Sequence, residues 1–240
     1  MSFYKELENN KLLQYMYCNN FRKVIPIGGR YFVDAIKDIV ENNYSVYMDE
    51  DCDIDGYLSV LSLKTMFDVL GHKNYYIPTH VYKRHGVGVD YIKTMLIENK
   101  YKYYIITDSS SNDSDVFDLF LEYPEVKCIC IDHHIVSIDR RKYDGTNVLI
   151  INPKFDAKEL GEEVLTQELS ACALIALLVE CTMKIGFPDK YDDIKGYHWV
   201  YGYITLYSDS CKFTWYNIAY SHWVQNNNFP YQPLVKLFMD

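Results

Sequence analysis

No apolar run in this 240-residue chain approaches the roughly 20 residues that a membrane-spanning helix needs, and Met1-Ser-Phe-Tyr-Lys-Glu6 lacks the basic-then-apolar pattern of a secretory signal. A helical membrane protein is thereby excluded. The expected setting is the cytoplasm, that of a host cell if the protein is viral. Paired cysteines at metal-finger spacing are also missing: the seven Cys are odd in number, contain no C-x-x-C, and include Cys128 and Cys130 on one face of a strand. Free, mostly buried thiols follow. Basic charge is scarce, with 24 Lys and Arg against 33 Asp and Glu for a net charge of −9. That balance opposes nonspecific attraction to polyanions, so a nucleic acid would have to be held locally, by metal ions and a small basic patch. Internal repeats, low-complexity tracts and Pro/Gly/Ser-rich linkers are absent as well. The length suits one large or two small domains and can bury a sizeable core.

Tyrosine is abundant, 24 residues, and Asn is plentiful. Codon bias in an AT-rich genome, such as a viral one, accounts for both, with base stacking as the other use of Tyr. Helix-like periodicity in Tyr31–Asn42, Leu58–Leu70 and Tyr91–Asn99 alternates with apolar, β-rich runs at 44–48, 74–77, 103–107, 126–131 and 148–151. The alternation predicts an α/β fold, a doubly wound, largely parallel sheet. After Pro153 the pattern changes, and Leu165–Met183, Tyr197–Tyr207 and Phe213–Gln225 read as a helical C-terminal layer. The expected organisation is a single domain over 1–240: an N-terminal extension (1–24), an α/β core (25–153) and a helical part (154–240).

Chemistry-bearing residues gather where strands should end. Asp132-His-His134 follows Val126-Lys-Cys-Ile-Cys-Ile131, Asp49-Glu-Asp-Cys-Asp-Ile-Asp-Gly56 follows Tyr44-Ser-Val-Tyr-Met48, and Asp108 follows Tyr103-Tyr-Ile-Ile-Thr107. Open parallel sheets bind ligands outside the carboxyl ends of their strands, so these residues should converge on one crevice. Oxygen-rich donors with one or two imidazoles suit Mn²⁺ or Mg²⁺, and the expected reaction class is metal-assisted phosphoester hydrolysis. Each motif has a plainer alternative. D-x-D-x-D-G opens a calcium loop, but its twelfth position is Ser62 rather than Glu. Asp55 and Gly56 could shape the turn and cap the helix starting near Tyr57. Asp108 lies in Asp/Ser/Asn turn chemistry, and Asp209 could be a mere helix terminus, where it would oppose the helix dipole unless a cation faced it. Lys83, Arg84 and His85, beside Gly86 and Gly88, are either a phosphate contact or a solvated loop. Arg140 and Arg141 read as a surface pair, with contact to a nucleic-acid backbone as the alternative.

The ordered series Asp51-x-Asp53-x-Asp55-Gly56-x-x-Ser59, Asp108, Asp132-His-His134 and Asp209 resembles the four motifs of the DHH phosphoesterase superfamily. Tyr31–Val40, Arg84-His-Gly-Val-Gly88, Ile151-Asn-Pro153 and Leu169–Ala173 are similar to segments of its RecJ-like branch of single-strand exonucleases, and the likeness runs over roughly 25–238. The resemblance implies a Mn²⁺- or Mg²⁺-dependent phosphodiesterase with two divalent ions, acting on single-stranded DNA; short RNA oligonucleotides or cyclic dinucleotides are the alternative substrates, and a non-catalytic binding protein the third reading. It implies Asp51 and Asp108 on one ion, with Asp53, Asp108, His133 and Asp209 on the other. Asp108 bridges, His134 faces the substrate phosphate, Asp132 and Asp55 support the ligands from behind, and Arg84, His85 and Lys83 contact phosphate. Catalysis thus rests on His134, Asp108 and His133. In one place the chain departs from the family: Asp49 and Tyr47 occupy positions where the family commonly has a metal-binding His, leaving Asp49 as a substitute oxygen ligand. The family's smaller Gly-rich substrate domain has no counterpart before Asp240, which implies a fragment, or a minimal protein whose groove is completed by a partner subunit or further domain.

Overall fold

The computed structural model describes residues 26–79, 86–160 and 168–211. Five strands, β1 (Val46–Glu50), β2 (Tyr75–Tyr76), β3 (Tyr103–Thr107), β4 (Lys127–Ile131) and β5 (Val148–Ile151), form one sheet in the order β2-β1-β3-β4-β5. Every pairing is parallel. Parallel neighbours need crossovers, and helices supply them: α1 (Gly29–Asn42) precedes β1, α2 (Ile54–Val69) and α3 (Val89–Ile97) flank β2, and α4 (Ser114–Leu121) joins β3 to β4. After β5 come α5 (Pro153–Leu160), α6 (Ala171–Cys181) and α7 (Tyr197–Ser208). The doubly wound, largely parallel architecture expected from the alternation is present, and its sheet is parallel throughout.

Strand side chains alternate between two buried clusters. Met48, Tyr103, Ile105, Ile129 and Ile151 pack with Phe32 and Ile36 of α1, Leu63 of α2 and Leu174 and Leu178 of α6. Tyr47, Tyr104, Ile106, Cys128, Cys130 and Ile150 pack on the other face with Ile92 of α3, Phe117 and Phe120 of α4 and Phe155 of α5. Helix α6 is buried along its whole length and apolar apart from Glu180, which pairs with Tyr191, His198 and Trp199. No helix among the described residues is long and apolar enough to cross a membrane.

Several boundaries differ from the sequence reading. The strand expected over 74–77 contracts to Tyr75–Tyr76, the two residues that pair with β1. The helix expected from Leu165 begins at Ala171 after Ser170, whose side chain accepts the Ala173 N–H; residues 165–167 and 213–225 lie outside the described residues. Arg140 is not a surface residue. It is 6% exposed and donates to Asp156 (2.8 Å) and Glu159 (2.7 Å), because a buried guanidinium needs paired carboxylates, whereas Arg141 pairs with Asp139 on the surface.

Candidate metal centre

The register puts Glu50, Thr107, Ile131 and Ile151 level across four strands. The next residues, Asp51, Asp108, Asp132 and Asn152, therefore leave the sheet side by side. Strands β1 and β3 are neighbours whose following helices lie on opposite faces, so a switch point, where open α/β sheets form a crevice, falls between Asp51 and Asp108.

Asp108 turns sharply out of β3 with φ of 58°, a left-handed conformation that costs a non-glycine residue energy and persists where surroundings enforce it. Its N–H donates to the Ile131 carbonyl (2.9 Å). Asp53 has extended backbone and caps α2, its Oδ1 accepting the Gly56 N–H at 3.1 Å. Gly56 is required here because a Cβ would meet the Asp51 carbonyl oxygen at 2.2 Å.

The cap of α2 is Asp53, rather than the Asp55 to which the sequence points. Asp55 instead accepts the Ala171 (2.8 Å) and Cys172 (3.0 Å) N–H groups at the N-terminus of α6. Those donors have no partner within their own helix, so a carboxylate satisfies them and complements the helix dipole. Ser170 Oγ and Thr205 Oγ1, 2.7 Å apart, tie the same end of α6 to α7, which returns Asp209 to the crevice.

Asp132 locks the following loop. Its Oδ1 accepts the N–H groups of His133 (2.7 Å) and His134 (3.2 Å) and contacts His134 Nδ1 at 2.7 Å, while Oδ2 accepts the Ser111 N–H (3.1 Å). Asn152, which the sequence reading noted only as half of an Asn-Pro pair, donates to Ser111 Oγ (3.2 Å) and to the His134 carbonyl (3.0 Å). Two loops are thus fastened by one carboxylate and one amide.

His133 Nε2 lies 3.4 Å from Asp108 Oδ1, 3.4 Å from Asp209 Oδ2 and 3.8 Å from Asp55 Oδ2. Three groups bring ligand atoms within 4.8 Å of one another: Asp51, Asp53 and Asp108; Asp55, His133 and Asp209; and Asp108, His133 and His134. Asp49 stands outside them, its Oδ2 accepting the Tyr47 hydroxyl at 2.8 Å. Asp53 joins Asp51 rather than the His133 group in which the resemblance puts it. Lys83, Arg84 and His85 lie outside the described residues.

The electrostatics fit a cation. Burial, reinforced by the charges of Asp53, Asp132 and Asp209, pushes the Asp108 carboxyl up to about 9. Asp55 rises to about 8, through burial first and Asp108 second. Burial also opposes ionisation of Asp132, yet the His134 and Ser111 hydrogen bonds hold it well below the usual carboxylate range. The same Asp132 contact raises His134 to about 9. Asp108 Oδ1 and His133 Nε2 are buried without a hydrogen-bond partner. Unpaired ligand atoms among crowded carboxylates suit a divalent ion, and the residues fit one.

The fold and centre together define a doubly wound α/β domain with a candidate Asp/His metal site at its switch point. Solved structures narrow this to the DHH-domain fold. Exonuclease RecJ bound to manganese matches with a TM-score of 0.66 at 15% identity, over 90% of this chain and 53% of that one. RecJ in complex with Mn²⁺ from Thermus thermophilus matches at 0.59 and 16%, over 81% and 26%. The DHH domain of a member of a ribosomal-protein family matches at 0.62 and 17%, over 96% and 52%. The chain thus spans about half or less of these structures. No family model and no curated protein matches the sequence.

Proposed function

We propose that this protein is a Mn²⁺- or Mg²⁺-dependent phosphodiesterase that hydrolyses single-stranded DNA in the manner of a RecJ-like exonuclease. The observation that carries the reading is the meeting of Asp51, Asp53, Asp108, His133 and Asp209 at the carboxyl ends of β1, β3 and β4, with two donor atoms orphaned among them. Two bound ions would supply an activated water and positive charge for the leaving oxygen of an in-line displacement. Asp108 shares one group of ligand atoms with Asp51 and Asp53 and another with His133 and His134, which suits a bridging carboxylate. His134, with its side chain 53% exposed and Nδ1 fixed by Asp132, is the cationic group for a non-bridging phosphate oxygen. Lys83, Arg84 and His85, which precede α3 in the sequence, remain the candidate phosphate contacts.

The test is hydrolysis of a long single-stranded DNA, a di- to tetranucleotide RNA and a cyclic dinucleotide under one Mn²⁺ condition. Preference for the long DNA is expected. Preference for a short substrate replaces the substrate class, and no turnover of any of them, with ions bound, overturns the enzymatic reading.

A further inference from the structure

The ligand atoms in the crevice fall into two sets of different chemistry. Asp51, Asp53 and Asp108 offer oxygens alone. In the second set His133 Nε2, 3.4 Å from both Asp108 Oδ1 and Asp209 Oδ2, adds an imidazole nitrogen to the oxygens. Asp49 of β1, two residues before Asp51, joins neither set and accepts the Tyr47 hydroxyl. Nitrogen donors favour first-row transition ions over Mg²⁺, whereas an oxygen-only set is equally at home with either.

The two sets also differ in how much a cation gains there. His133 Nε2, present in the second set alone, is buried and lacks a hydrogen-bond partner, so an ion there satisfies an unpaired nitrogen, whereas Asp108 Oδ1, likewise unpaired, belongs to a residue that both sets share. Asp53 is exposed, its Oδ1 is already committed to the Gly56 N–H, and Asp51 Oδ1 accepts the Cys52 N–H at 2.8 Å. Solvated and engaged oxygens have less to gain from a cation.

We infer that the two ion positions are unequal: the His133–Asp209 side of Asp108 takes a transition ion such as Mn²⁺ first and more tightly, and the Asp51–Asp53 side fills second and accepts Mg²⁺ as readily as Mn²⁺. This inference rests on the two-ion reading above. It names which side chains set ion choice, and it makes mixed Mn²⁺/Mg²⁺ occupancy the state of the protein when Mg²⁺ is in excess.

Calorimetric titration of the full chain with Mn²⁺, alone and in excess Mg²⁺, tests it. Two steps are expected, with affinities about tenfold or more apart, equivalent to about 1.4 kcal/mol. Excess Mg²⁺ should remove the weaker Mn²⁺ step and leave the tighter one. Asp53→Asn keeps a good helix cap, since Asn caps as well as Asp, and should erase only the weaker step. His133→Ala should erase the tighter step; thermal unfolding checks that it folds, and Asp209→Asn replaces it if it does not. Two Mn²⁺ steps of equal affinity, equal displacement of both by Mg²⁺, or loss of the tighter step in Asp53→Asn would each overturn the inference while leaving the phosphodiesterase reading intact. Hydrolysis failing with both steps present would do the reverse, and no Mn²⁺ binding at all would end both.

Discussion

A methyl group at Gly56 would meet the Asp51 carbonyl oxygen at 2.2 Å and its nitrogen at 2.8 Å, distances that only backbone movement can relieve. Gly56→Ala is therefore expected to displace Asp51 from the crevice and cost about 1–3 kcal/mol through overpacking. Chemical denaturation reads the second effect and Mn²⁺ titration the first; unchanged values in both would mean that the turn is more plastic than its contacts indicate. The same few residues mark what a sequence can and cannot disclose. Asp51, Asp53, Asp108 and His133 were legible as candidates because they follow strand ends, and Asp209, at the end of α7, because it completes the ordered motifs. The partner of Asp55 was not, because it lies 116 residues away and the N-terminus of α6 carries no signal that a distant carboxylate will cap it. Asp55→Asn keeps the shape but sets an amide NH2 against one of the two N–H groups that Asp55 accepts, so a loss of about 1–3 kcal/mol is expected in the same denaturation assay.

At the scale of elements, α6 announced itself through an apolar sequence interrupted only by Glu180, whereas α4 did not. Ser114–Leu121 is eight residues long and follows Asp108-Ser-Ser-Ser-Asn-Asp113, whose composition reads as turn chemistry. Helix α5 was equally unread, although Asn152 and Pro153 stand where a capping side chain and a first-turn proline belong: Asn152 Oδ1 accepts the Lys154 N–H at 2.9 Å. A pH effect belongs at this scale too. His72, just beyond α2, is 3% exposed beside the Phe67 ring, and burial holds its pKa below the usual histidine value. A folded state that prefers the neutral ring gains stability above the unfolded value near 6.5 and loses it as pH falls through that value, because the unfolded chain then binds the extra proton. Urea denaturation at about pH 7.5 and about pH 5.5, on either side of that value, should show a loss of stability on acidification that is smaller in His72→Phe. An identical pH dependence in both proteins would remove His72 from the account.

Over the whole molecule, the sheet order and the site are one fact. Because β1 and β3 are neighbours with crossovers on opposite faces, the residues after β1, β3 and β4 share a crevice, and the α6–α7 pair brings Asp209 to it from the far end of the described chain. Strand alternation foretold the parallel sheet. It could not foretell the strand order, which depends on which crossovers pack on which face and leaves no local trace. The central claim is that Asp108 and His133 hold a divalent ion at this switch point. Anomalous diffraction from crystals of the protein soaked in Mn²⁺ tests it most directly: a manganese peak in contact with both the Asp108 carboxylate and His133 Nε2 is the predicted result, and well-ordered Asp108 and His133 with no peak between them, at a Mn²⁺ concentration that gives peaks elsewhere, would contradict it.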